Sequence, residues 1–393
     1  MIRDGHISPR QVTAILTIIV LGKGLDSAIL ILVHWGHGAA ELLLLVAEGL
    51  IAGAILLLLP LHKAQDKNLA DVINDTFGRW IGSVICSLLF ILLMADITIN
   101  LEMDMQQIRM VFLPMTPTQV VLIVALMAMV IPAYYGIEVL GRTNLIMVLL
   151  LLGIAAILVP MTIPMMDLSK IAPVLGPGPW TLLKEGVLHV GFFGEYLTVL
   201  MLRPYVRDYE SYRKSVVTAM IICLTVGFVA MLDMQLVFPY PTDDHLFFPF
   251  VEMARILYFG RFIQHVEALF ALTWLAVALA RLSLLVYILS LLAASMTAST
   301  NFRRFIPLLA ACIYYGALMI PSLPMALDLR DIWLEKRGFP VLATIIVATI
   351  VVGHWKARTA QKDGPSDAGA GSGSGSRGQA QPQPRQPAAH GSG

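Results

Sequence analysis

Hydropathy along the chain comes in long apolar blocks separated by short polar ones, and inside the blocks apolar and polar positions do not alternate with period two. A block of about 20 apolar residues can cross a hydrocarbon core of about 30 Å as a helix, whereas membrane strands require alternation. The pattern predicts an all-α integral membrane protein. Ten spans are expected, near residues 10–34, 41–61, 80–112, 118–135, 142–163, 181–203, 213–238, 262–296, 305–320 and 339–355. The first is too long for a signal-peptide core and reads as a membrane helix, with Ser8 as its cap and Pro9 in its first turn.

The blocks divide into two halves with a common pattern. The first block of each half is interrupted by glycines, "GKG" at 22–24 and "GFFGE" at 191–195, and the third is long in both. Five spans per half make the second half start on the opposite side, so the pattern predicts inverted repeats, about 8–165 and 178–356, in a membrane domain over 1–362. Residues 363–393 hold Gly, Ser, Pro, Gln and Ala but no large apolar side chain, and read as a disordered tail.

Composition narrows the class. The chain is 58% hydrophobic and 13% charged, outside the range of soluble domains. A net charge of +1 without a basic run sets nucleic acid aside. Cys86, Cys223 and Cys312 each fall inside an apolar span, far apart, and are expected as buried packing residues. Lysine and arginine crowd the connections on the side of the termini (Lys63, Lys67, Arg79, Arg142, Arg203, Arg207, Arg213, Lys214, Arg303, Arg304). The other side carries fewer (Arg109, Lys170, Lys184, Arg255, Arg261, Arg330, Lys336, Arg337), which places both termini in the cytoplasm.

The interruptions and the charges inside spans are the candidate chemistry. Gly22 and Gly24 either pack closely against a neighbouring helix or open the first span, freeing backbone N–H groups at a half-helix start that can hold a carboxylate. Lys23 costs about 3 kcal/mol at mid-membrane depth and must find a partner. With Asp26 it forms a self-neutralising pair, stands in for a cation at an ion site, or binds an anionic group. In the sixth span Phe192, Phe193, Gly194 and Glu195, with His189 nearby, suit an apolar pocket beside unwound backbone, or ordinary packing. The third span carries Asp96, Thr98, Glu102 and Gln106, the last three on one face as an inward polar stripe and ion-pathway candidate. The eighth has Arg281 at depth, with Ser283 and Tyr287 four apart. Lys23 and Arg281 are the two basic residues expected deep in spans.

His34, His37 and Glu41 lie in a short loop without a zinc-protease pattern, so no metal is assigned. No nucleophile-elbow, P-loop or kinase signature occurs, no cofactor is expected, and an enzyme is the least supported class.

Four stretches, "ISPRQVTAILTIIVLGKGL", "LSKIAPVLGPGPWTLLKEGV", "FFGEYLTVLMLRPYV" and "FVEMARILYFGRFIQHVEALFALTWLAVALARLSLLVY", carry a resemblance. The chain resembles the spore germination permeases, the B subunits of nutrient germinant receptors in the amino acid/polyamine/organocation transporter superfamily, over residues 7 to about 355. The resemblance implies a LeuT-type five-plus-five fold with broken first and sixth helices. It also implies a midplane site for a small nutrient, an amino acid, built from the first, third, sixth and eighth spans. By resemblance Gly22 and Gly24 match the first-helix carboxylate turn, Glu102 a third-helix glutamate, and Ser283 and Tyr287 the eighth-helix positions. Arg281 stands where a lysine is common. Lysine between the glycines and threonine at 98 depart from the pattern. The implied role is a receptor subunit in the spore inner membrane acting with A and C subunits; the alternative is a proton- or sodium-coupled transporter of amino acids or amines.

Overall fold

The computed structural model describes residues 5–24, 27–63, 67–171, 174–242, 246–257 and 266–362; the 363–393 tail and Asp26 lie outside them. All regular structure among the described residues is helical. Helix α1 (Pro9–Gly24) starts where the sequence places a cap: Ser8 N–H donates to Gln11 Oε1 at 2.8 Å, and Gln11 N–H returns to Ser8 Oγ at 3.4 Å. A 3₁₀ turn (Ser27–Ile29) and α2 (Leu30–Gly36) follow, and the chain then reverses at His37, which has φ 48°. Helix α3 (Ala40–Leu58) packs back on α2, and a Cβ at Gly36 would sit 3.1 Å from Ala40 Cβ.

Helix α4 (Leu69–Phe77) opens with an Asn68/Asp71 capping box and leads into α5 (Arg79–Val111), α6 (Thr118–Tyr135) and α7 (Ile137–Thr162). Next come α8 (Pro179–Leu188) and a long 3₁₀ segment (Val190–Tyr205), bent by 42° from α8 at His189. Helix α9 (Tyr209–Val237), α10 (Pro249–Ile256), α11 (Val266–Met296), α12 (Ile306–Leu318) and α13 (Leu323–Asp328) follow. A π-helical stretch (Leu329–Arg337) and α14 (Gly338–Lys362) complete the described chain. Contacts group the chain through His354 as one body and from Trp355 onward as another.

Helix α11 is the axis of the first body. It is apolar on all sides, and 83% of its most apolar stretch is buried, against 22% for α7, whose outer face is left for lipid. It packs on α1, α5, α6 and α7, while α1 also packs on α7 and α9. The α1–α11 crossing explains Gly22: a Cβ there would lie 3.1 Å from Val277 Cγ1 and 3.3 Å from Arg281 Cδ. The packing role of that glycine is therefore real, and α1 stays helical through Gly24 instead of opening at Gly22–Gly24 as one expectation had it. Leu25 and Asp26 lie outside the described residues, and the next described element is the 3₁₀ turn that starts at Ser27.

Among the described residues, seven helical runs are long and apolar enough to cross a membrane, or eight if the bent α8 and 3₁₀ pair is one span. The first run, Ser27–His62, contains the reversal at His37, so its length combines α2 and α3. Cys86 and Cys223 are buried as expected; Cys312 is exposed on α12. Among the described residues two further arginines are buried besides Arg281, namely Arg203 and Arg330. Arg203 donates to the carbonyls of His62 at 3.0 Å, Lys63 at 3.3 Å and Val206 at 2.5 Å, tying the 3₁₀ segment to the chain just after α3.

A buried charge network at the broken helix

The bend at His189 is where the charges converge. A 3₁₀ run this long is unusual, because its hydrogen bonds are strained relative to an α-helix, and it commonly marks a functional hinge. Within it, the Phe192 carbonyl accepts a hydrogen bond from Lys23 Nζ at 2.6 Å. The interruption thus meets the lysine ammonium through backbone oxygen. Lys23 Nζ also lies 3.1 Å from Glu195 Oε1, 3.6 Å from Asp96 Oδ1 and 4.9 Å from the Phe192 ring centre. Phe193 is buried and stacks edge-on against Phe192 at 5.0 Å.

Glu195 is gripped from a second side by Arg281 of α11, whose Nε and Nη2 reach its two carboxylate oxygens at 3.1 and 2.5 Å. This fork geometry fixes orientation as well as charge. Arg330, in the π-helical stretch, donates to Asn100 Oδ1 at 2.5 Å and Glu335 Oε1 at 3.3 Å, and lies 3.7 Å from Asp96 Oδ1. Three cations (Lys23, Arg281, Arg330) therefore face three carboxylates (Asp96, Glu195, Glu335), a balanced set in which Arg281 is 0% exposed and Lys23 3%. Burial is tolerable because every charge has an opposite charge beside it.

A cavity of about 110 Å³ touches this network, lined by Lys23, Asp96, Gly191, Gly194 and Glu195 with Leu, Ile and Met side chains around them. Asp96 is the least satisfied member: its Oδ1 holds two long ion pairs, and its buried Oδ2 accepts no hydrogen bond among the described residues. Met201 lines both this cavity and one of about 580 Å³ that also includes Lys67, Asp71 and Asp75. A third cavity, of about 450 Å³, lies among His34, Trp35, Phe247, Asp328 and Asp331.

Several expected site residues lie elsewhere. Thr98 donates to its own helix at Met94 O and its methyl faces Gly316 of α12, so the polar stripe does not run inward as a unit. Glu102 accepts from Gln106 at 2.8 Å, both buried, and neither lines the cavity. The α5 face that reaches the network is offset by two residues, through Asp96 and Asn100. Ser283 donates to Leu279 O at 2.7 Å and Tyr287 packs 5.1 Å from Phe302; Ile288 and Leu292 supply the α11 wall instead. Gly22 and Gly24 do not line the cavity.

Sequence reasoning missed Arg330, Glu335 and Asn100, and also Glu48, whose Oε1 accepts from Tyr196 at 2.5 Å. His189, Asp331 and Glu335 bring possible metal-ligand atoms within 4.8 Å of one another. Both carboxylates already carry a cation, Lys336 at 2.7 Å on Asp331 and Arg330 at 3.3 Å on Glu335.

The family model described as spore germination protein matches residues 6–324. The chain belongs to that family. In this spore germination protein Arg330 and Glu335 lie beyond the matched residues. Among solved structures it is similar to a Na⁺-coupled sialic acid symporter in a substrate-bound outward-open state, with 12% identity, TM-score 0.64 and 91% of each chain covered. It is also similar to a nucleobase-cation-symport-1 family transporter in a closed conformation with bromovinylhydantoin bound, with 14% identity, TM-score 0.58 and 91% and 94% covered. No curated protein matches the chain. At these identities the neighbours establish the fold, a LeuT-like transporter fold. The chain is a multi-pass membrane protein with a transporter-like fold, and family and structural neighbours are permeases and transporters rather than enzymes.

Proposed function

We propose that this spore germination protein senses a small zwitterionic nutrient, an amino acid, at the cavity between Lys23 and Asp96. The observation that carries the reading is the spare acceptor on Asp96, 3.6 Å from Lys23, in the wall of a cavity beside a broken helix. A ligand ammonium completes Asp96 and a ligand carboxylate takes Lys23, so the zwitterion replaces one long ion pair with two short ones. The cavity volume of about 110 Å³ is below the roughly 150 Å³ that admits benzene, which restricts the ligand to small amino acids.

The reading includes ten spans in a five-plus-five inverted repeat, with Ser27–His62 split between two of them and both termini in the cytoplasm. The split at His37 and the distribution of basic residues support it. Binding at the hinge shifts the balance between two arrangements of the 3₁₀ segment, and A and C receptor subunits in the spore inner membrane receive the change. A ligand moves such a balance only by its differential affinity for the two forms.

The second reading is a coupled amino acid or amine transporter, favoured by the Na⁺-coupled symporter among the structural neighbours. Vesicles containing the chain alone separate the two. The sensor reading expects no concentrative uptake of labelled amino acids under a proton or sodium gradient, while the same amino acids raise the melting temperature of the purified protein. Concentrative uptake overturns it in favour of transport.

A further inference from the structure

The 450 Å³ cavity shares no lining residue with the central one and has a separate chemistry. Its wall combines aliphatic side chains with three rings, His34, Trp35 and Phe247, and with Asp328 and Asp331. Beside it, the protein places a cation of its own. Lys336 Nζ lies 3.9 Å from the Trp35 ring centre and 2.7 Å from Asp331 Oδ2. An ammonium held over an indole face and against a carboxylate is the arrangement by which organic cations are bound, since ring quadrupole and charge act together. We infer that this cavity is a binding site for an organic cation bearing an ammonium group, and that Lys336 is its tethered placeholder.

Three observations beyond the pairing support the inference. The Lys336 side chain is 30% exposed, so it can leave for water without passing through the core. Phe247 is 53% exposed at the cavity, giving an arriving cation a second aromatic surface. The volume lies within the usual range of small-molecule sites, about 300–1,000 Å³. The site also has a line to the hinge. Asp331 Oδ1 lies 3.3 Å from His189 Nε2, at the residue where α8 gives way to the 3₁₀ segment. An ammonium that takes Asp331 from Lys336 acts on the carboxylate that steadies the bend.

Labelled choline is the probe, with 3,3-dimethyl-1-butanol, its neutral isostere, as competitor, on the full-length protein in detergent. Choline is expected to bind saturably, and the alcohol not to displace it. Lys336→Gln, which removes the placeholder, is expected to tighten choline binding about tenfold, the gain when a site about 90% self-occupied is vacated. Trp35→Leu is expected to abolish binding, with its melting temperature recorded to show that the variant is folded. Asp96→Asn, at the central cavity, is expected to leave choline affinity unchanged, so failure here is distinguishable from failure of the amino acid reading. Displacement by the alcohol, or unchanged or weaker choline binding in Lys336→Gln, overturns the inference.

Discussion

Glu195→Gln is expected to lose about 3–5 kcal/mol of stability, the cost of leaving buried charge without its partner. The expectation rests on geometry. Glu195 serves two cations at once, Lys23 at 3.1 Å and Arg281 through two contacts, and is 6% exposed, so water cannot replace it. Glutamine keeps the shape and one acceptor but leaves a surplus positive charge beside the hinge. Chemical denaturation in detergent measures the loss. A double-mutant cycle with Lys23→Met identifies its source: if the charge balance is responsible, Glu195→Gln/Lys23→Met is more stable than the sum of the single variants by 0.5–3 kcal/mol, the usual coupling of contacting residues. A single variant within about 1 kcal/mol of wild type would show that the network is not held by its charges.

Lys23→Ala is expected to create a dependence on sodium that the wild type lacks. The Lys23 ammonium sits among the Phe192 carbonyl oxygen and the carboxylates of Glu195 and Asp96, an oxygen-lined position suited to a small cation. With the tethered cation present, the position is filled and the charges balance. Removing it leaves a negative, oxygen-lined cleft. The variant should therefore be more stable, and melt higher, in sodium chloride than in N-methyl-D-glucamine chloride of equal ionic strength, the stability gain reaching about 2.7 kcal/mol once sodium is at 100 times its Kd. Wild type should melt alike in both salts. Equal melting of the variant in the two salts would rule out Lys23 as a built-in cation.

The fold was legible wherever physics left one option. Several apolar blocks, such as those at Thr118–Tyr135 and Arg79–Val111, are single helices close to their expected limits, because lipid admits no unpaired backbone, whereas the first and sixth are broken into shorter pieces. Lys23, Asp96, Glu195 and Arg281 were legible for the related reason that charge at depth is costly and demands partners. Arg330 and Glu335 were not, because "LDLRDIWLEKRG" is dense enough in charge to read as a loop. Their 3.3 Å ion pair spans five residues, a spacing that matches a π-helix and not the period sought in the sequence. Ser283 and Tyr287 were named from their spacing beside Arg281 and from the resemblance, and the rotation of α11 turns them toward its own backbone and Phe302. An opening of the helix at Gly22 was expected and is not seen, because glycine reports equally on unwinding and on close approach, and at Gly22 the approach of α11 decides.

A small amino acid held between Lys23 and Asp96 needs no metal cation, because Lys23 already supplies the positive charge there. Melting of full-length wild type and Asp96→Asn in sodium-free buffer, across a panel of amino acids, tests it most directly. A small amino acid is expected to raise the melting temperature of wild type and to leave Asp96→Asn unmoved; an equal shift in both proteins would rule out binding between Lys23 and Asp96.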